Sequence, residues 1–173
     1  MKRLVVLLVV ATTTYLMPAF ASAAGATEVR GGGTGSFGSD LDGDGHVDGS
    51  QFGMGVAIQD NGAATGHFLC LMAGRSEFLG LRLMSVEGRV TAGSLNEDGS
   101  ATFSGVGTVN LGNGQIFRGV PFRVTAWKGG PDVGKLQLTV IGAFDGAPGD
   151  QIPGNGDYDL PVETVTSGQI AIG

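Results

Sequence analysis

The chain has 173 residues, 33 of them glycine and one cysteine, with 16 acidic side chains against 10 basic ones. So acidic a chain, without clustered Lys and Arg, is a poor partner for nucleic acid or for an anionic membrane surface. The lone Cys70 excludes an intramolecular disulfide, and two separated histidines with one thiol do not supply the close ligands that a zinc centre needs.

The first expected element is a secretory signal. Lys2 and Arg3 precede the apolar run from Leu4 to Val10, Pro18 breaks the helix, and Ala21-Ser22-Ala23 offers small residues to a signal peptidase. The run is too short for a membrane span and is interrupted by Thr12, Thr13 and Thr14. Residues 1–24 are therefore expected to leave on export. Residues 25–173 would remain as a single β domain, secreted or periplasmic or at the cell surface, with no membrane association after cleavage. About 150 residues can bury a core without staples.

Arg30-Gly31-Gly32-Gly33-Thr34-Gly35 reads as a flexible lead-in or a weak edge strand, with a short strand possible near 28–37. Gly33 to Gly38 satisfies G-x-G-x-x-G, but no helix follows, so a dinucleotide site is discounted.

The densest chemical signal is Asp40-Leu41-Asp42-Gly43-Asp44-Gly45-His46-Val47-Asp48. Carboxylates at positions 1, 3, 5 and 9 with Gly at 6 match an EF-hand-like DxDxDG loop spanning 40–51. Asp40, Asp42 and Asp44 would each give Ca2+ one carboxylate oxygen, and His46 its backbone carbonyl. Asp48 would bind directly or through water, Val47 would turn inward as an apolar anchor, and Gln51 would close the site with one neutral oxygen. Glutamine in place of a bidentate glutamate predicts weak affinity, about 10⁻⁴ to 10⁻³ M. The flanks are not helices, so the loop is expected to be a structural clamp on a β scaffold rather than half of a paired sensor.

Beyond the loop the apolar period is two. Phe52, Met54, Val56 and Ile58 alternate with small or polar residues, as do Val120, Phe122, Val124 and Ala126, and then Leu136, Leu138 and Val140. Turn signals separate such runs at Asp60-Asn61-Gly62, Glu97-Asp98-Gly99, Gly112-Asn113-Gly114 and Gly129-Gly130-Pro131-Asp132. Strands are expected near 52–59, 65–73, 79–86, 88–95, 100–109, 115–127, 135–143 and 163–172. The fold class is all-β: one antiparallel domain of about eight strands, a β-barrel or alternatively a β-sandwich. Glycines within strands, such as Gly53 and Gly55, would suit sharp curvature. Cys70, in an apolar run, is expected to be a buried, inert thiol, and His67 a satisfied core or rim histidine. Asp145 to Asp159 is expected to be a long loop whose aspartates serve turn chemistry.

From Ala101 onward, Ala101-Thr102-Phe103-Ser104-Gly105, Gly107-Thr108-Val109-Asn110, Phe122-Arg123-Val124-Thr125 and the closing Ser167-Gly168-Gln169-Ile170-Ala171-Ile172 resemble the bacterial post-COAP domain family. The resemblance covers the second half of the chain and implies a small exported β-protein, with no activity to carry over. Trp127-Lys128-Gly129-Gly130-Pro131 departs from the acidic turn of that family, and the Asp-rich loop lies outside its pattern.

The expected function is thus an exported, non-enzymatic β-domain with a weak structural calcium site. The alternative is a barrel that holds a small apolar ligand. A hydrolytic enzyme is a third class with no motif behind it, since no G-x-S-x-G elbow occurs. Protein and small-molecule partners other than calcium are not named by the sequence.

Overall fold

Period-two patterning governs most of the strands. A computed structural model describes residues 25–41, 45–72 and 84–173, and among these every regular element is a β-strand. The signal segment 1–24, the loop carboxylates Asp42 and Asp44, and residues 79–83 of an expected strand lie outside the described residues.

The strands are β1 (Ala26–Ser36), β2 (Gly49–Gln59), β3 (Ala63–Met72), β4 (Met84–Leu95), β5 (Ala101–Asn110), β6 (Ile116–Trp127), β7 (Lys135–Val140), β8 (Tyr158–Asp159) and β9 (Glu163–Ile172). They form one antiparallel sheet in the order β6-β5-β4-β3-β2-β1-β9-β7-β8, and β6 also pairs with β7. Because neighbours run in opposite directions, connections 37–48, 111–115 and 141–162 emerge at one end of the strands. Connections 60–62, 96–100 and 128–134 emerge at the other.

Alternate residues of each strand point into one shared core. Phe52, Met54, Val56 and Ile58 of β2 are buried, as are Phe122, Val124 and Ala126 of β6 and Leu136, Leu138 and Val140 of β7. At the centre, Phe68 of β3 stacks on Phe122 with ring centroids 5.6 Å apart and meets Phe103 edge-on at 5.9 Å. Aromatic pairs at such separations add to the burial of their area.

Three local expectations need correction. The glycine-rich run from Arg30 is no edge: β1 is paired on both sides, with β2 over its whole length and with β9 from Val29 to Ser36. Backbone pairing needs no side chains, so composition understated it. The two strands expected at 79–86 and 88–95 become one continuous β4 across residue 87. Gly88 is buried there, and a Cβ on it would lie 2.6 Å from Cε1 of Phe122, so this glycine makes room for a ring rather than a turn. Finally, the expected strand 135–143 stops at Val140, and Tyr158–Asp159 returns as a short strand against it.

With Phe68 wholly inaccessible to solvent, Phe68→Ala is expected to cost about 3–5 kcal/mol. Urea unfolding followed by intrinsic fluorescence checks this. A loss below about 1 kcal/mol would contradict the central placement of this ring.

Candidate functional site

The Asp-rich loop grows directly out of the β1–β2 hairpin. Its base continues the ladder: Phe37 N–H donates to the Asp48 carbonyl at 2.9 Å, and Asp48 N–H to the Ser39 carbonyl at 3.0 Å. Within it, Oδ2 of Asp40 accepts the N–H of Gly45 at 2.8 Å, so the first loop position caps the turn made at the sixth. Gly45 has φ of +91°, a conformation that favours glycine. Oδ2 of Asp48 accepts the N–H of Leu41 at 2.6 Å, folding the ninth position back onto the second.

The candidate ligands separate by strand register. Asp48 is only 3 % exposed and shares its inward face with Ser50 and Phe52. Gln51 is exposed on the opposite face of β2, so the structure does not bring it together with Asp48. Asp40 and His46 are exposed at the loop surface. Val47, the expected inward anchor, is 63 % exposed. The inward alternation Asp48–Ser50–Phe52 forces its neighbour outward, and Leu41 makes the apolar contact instead, partly buried against the core. Among the described residues, no group of three or more His, Cys, Asp or Glu side chains could hold a metal ion; Asp42 and Asp44 fall outside that set.

The second acidic segment shares this end of the sheet, and the two loops lie close together. A Cβ on Gly149 would lie 3.7 Å from Cδ1 of Leu41. Three of its aspartates are engaged with backbone. Asp145 accepts the N–H groups of Gly154 and Gly156, and Asp157 that of Gly142. Asp150 accepts those of Gly146, Ile152 and Asp159. Desolvation works to raise the Asp150 carboxyl, but these N–H groups and Asp145 together hold it below its ordinary value. Buried Asp159 takes the Thr139 hydroxyl at 2.7 Å and the Asn155 amide at 2.7 Å. The hydroxyl of buried Tyr158 donates to the Pro148 carbonyl at 2.9 Å, tying the loop to the core. Turn chemistry accounts for the carboxylates of Asp145, Asp150 and Asp157.

Sequence reasoning missed one polar group inside the core. Glu163 opens β9 at 2 % exposure, and its two oxygens accept the Ser50 hydroxyl at 2.9 and 2.7 Å. To get there it passes over β1 at Gly35, where a Cβ would sit 2.6 Å from Oε2. The signal was available in the register: Glu163 and Val165 stand two apart on one strand face, as do Ser50 and Phe52. Burial pushes the Glu163 carboxyl up to about 7, while the Ser50 hydrogen bond acts to lower it. Cys70 lies against Ser50, and burial, with Glu163 nearby, drives its thiol well above the ordinary range. It is the inert, buried thiol that its apolar context implied. His67 is not in the core: it stands on the outer face, 3.1 Å from Oε1 of Glu87.

Comparison with protein-family models, with curated proteins and with solved structures returns no match.

Two outcomes follow from the buried acid. Folded Glu163 keeps its proton to about pH 7, whereas the unfolded chain releases it near 4.5. Stability from this group is therefore full below pH 4.5, falls as pH rises, and above pH 7 is lower by about 3 kcal/mol. Denaturation of wild type and Glu163→Gln across pH 4–8 should show that slope in the wild type and lose it in the variant. Gly35→Ala should destabilise by about 1–3 kcal/mol through overpacking against the carboxyl, measured by urea melts at fixed pH. A neutral effect would mean that Glu163 reaches Ser50 by another path.

Proposed function

We propose that the chain is an exported, non-enzymatic β-domain carrying a weak structural calcium site in its β1–β2 loop. The observation that carries the reading is the folding back of that loop. Asp40 and Asp48 turn their carboxylates into backbone N–H groups across it, on a base closed by two ladder hydrogen bonds. Two further carboxylates, Asp42 and Asp44, fall between them in sequence. Four acids within nine residues repel one another unless a cation compensates.

The ligands in this reading are Asp40, Asp42 and Asp44, the His46 carbonyl, and Asp48 directly or through water. Gln51, on the other face of β2, leaves the twelfth place to water. Calcium suits such an oxygen set better than magnesium, which dehydrates reluctantly. Its work here is to hold the start of β2 in register. The signal pattern of residues 1–24 supports export into a calcium-containing exterior, and the second-half resemblance to post-COAP domains supports the same setting.

A barrel, rather than a sandwich, is the architecture we favour, because β6 pairs with β7 while β7 and β1 both pair with β9. The packing around Phe68, Phe103, Phe122 and Val124, each without accessible surface, supports a filled interior over a ligand-holding one.

Isothermal titration calorimetry of the mature protein should give a calcium dissociation constant of about 10⁻⁴ to 10⁻³ M. EGTA should lower the melting temperature, and Asp40→Asn should remove both effects. An absence of binding heat together with an unchanged melt in EGTA overturns the proposal.

A further inference from the structure

Glu163 stands on one of the two shortest joins of the sheet. β9 meets β7 through two residue pairs, Lys135 with Thr164 and Leu136 with Glu163, whereas β6 meets β7 through six. Past those pairs the contact passes to the 128–134 connection. There, Val165 N–H donates to the Gly134 carbonyl at 2.8 Å and Asp132 N–H to the Val165 carbonyl at 2.9 Å, while Gly129 and Ile170 exchange a reciprocal pair. The carboxyl therefore sits at the end of a short, backbone-held seam.

No described residue around it compensates a negative charge. Among the described residues, Ser50 is the hydrogen-bond partner of Glu163, and no Lys, Arg or His comes within ion-pair distance. From β1 the facing residue is Gly35, which brings no charge, and from β3 it is Cys70, a thiol that burial keeps protonated. Asp48, two residues before Ser50 on the same inward register, and Asp159, on β8 beyond β7, are acids too and supply no cation. Lys135, on β7, pairs with Thr164 but is exposed. An ionised carboxylate in this position has one neutral hydroxyl for company. Such a group relieves its desolvation either by keeping its proton or by letting water in.

We propose that Glu163 is a proton-operated latch for the β7–β9 join: protonated, its carboxyl shares a hydrogen bond with Ser50 and the join holds; deprotonated, its buried charge opens that join to water. The upward displacement of its titration to about 7 places the transition near neutrality. Opening would release the start of β9 together with the end of the 141–162 connection, leaving the β2–β6 strands paired.

Amide hydrogen exchange on the full mature protein, corrected for the intrinsic pH effect and repeated at low urea, tests this. The amides of residues 134–136 and 163–165 are expected to exchange through a local opening that is insensitive to urea. From pH 5 to pH 8 that opening should become on the order of tenfold or more frequent in wild type and stay constant in Glu163→Gln. The proposal is overturned if these amides exchange only through the urea-sensitive opening shared with Phe68 and Phe122. It is equally overturned if the local opening is independent of pH, or keeps its pH dependence in the variant. Should the variant fail to fold, carbon-13 NMR of the wild type serves. The Glu163 carboxyl and the 163–165 amides should then titrate with one midpoint near neutrality, and an ordinary glutamate midpoint rules the latch out.

Discussion

The attachment of β9 to its two neighbours is the constraint on which the rest of the sheet depends. β1 follows β2 for its full length and β7 follows β6, and among the described strands it is β9 that lies between β1 and β7. Remove that strand and both present unpaired backbone, the hazard of any open sheet edge. The long β1–β9 ladder makes one side of the attachment secure. The β7 side is short, and it is there that the fold buries a carboxyl. A hydrophobic residue in the place of Glu163 would need no partner, so the acid is a local cost that the sheet carries at a short ladder.

The two ends of the strands are built differently, and the difference explains much of the acidic charge. Short connections at 60–62 and 96–100 use single side-chain caps: Asn61 accepts from Ala63 N–H, and Asp98 from Ser100 N–H and hydroxyl and from the Trp127 indole. At the other end, residues 37–48 and 141–162 are long, and each needs several carboxylates to satisfy its backbone. Asp145, Asp150 and Asp157 do this work in one loop, Asp40 and Asp48 in the other. Where every aspartate takes an N–H group at irregular spacing, turn chemistry suffices. The 40–48 loop differs in its regular spacing and in its density of like charge. Leu41 of one loop lies near Gly149 of the other, and Tyr158 anchors that turn to the core.

What could be read from the sequence was what side-chain period encodes. Phe52 to Ile58, Phe122 to Ala126 and Leu136 to Val140 announce both strand and inward face, and all are buried as their alternation implied. What escaped was encoded in the backbone or across the chain. β1 is rich in glycine and has almost no apolar period, so nothing local distinguished a doubly paired strand from a loose lead-in. Gly88 resembles a turn glycine until Phe122, 34 residues later, is seen to cover it. Val47 was assigned by its place in a loop motif, yet strand alternation starting at Asp48 reversed its direction. Of the candidate ligands, the spacing was legible while the orientation was not: Gln51 is three residues from Asp48, and an odd separation in a strand puts two side chains on opposite faces.

The strand glycines, read together as a sign of curvature, do not share one environment. At Gly53 and Gly55 an added Cβ would meet nothing within 4 Å, so these positions leave bare backbone on the outer surface. Gly35 and Gly88 face inward, and each lies beneath a large group from another strand, the Glu163 carboxyl in one case and the Phe122 ring in the other. The inward pair explains how so small a sheet accommodates both a central aromatic stack and a buried acid. Each large group spans the place of a missing side chain, and the interior closes without overpacking. Gly35 therefore belongs to the same arrangement as Glu163 and Ser50: β1 yields the space, β9 supplies the carboxyl, and β2 supplies its hydrogen bond. Three strands thereby meet through one polar contact, beside the short β7–β9 join.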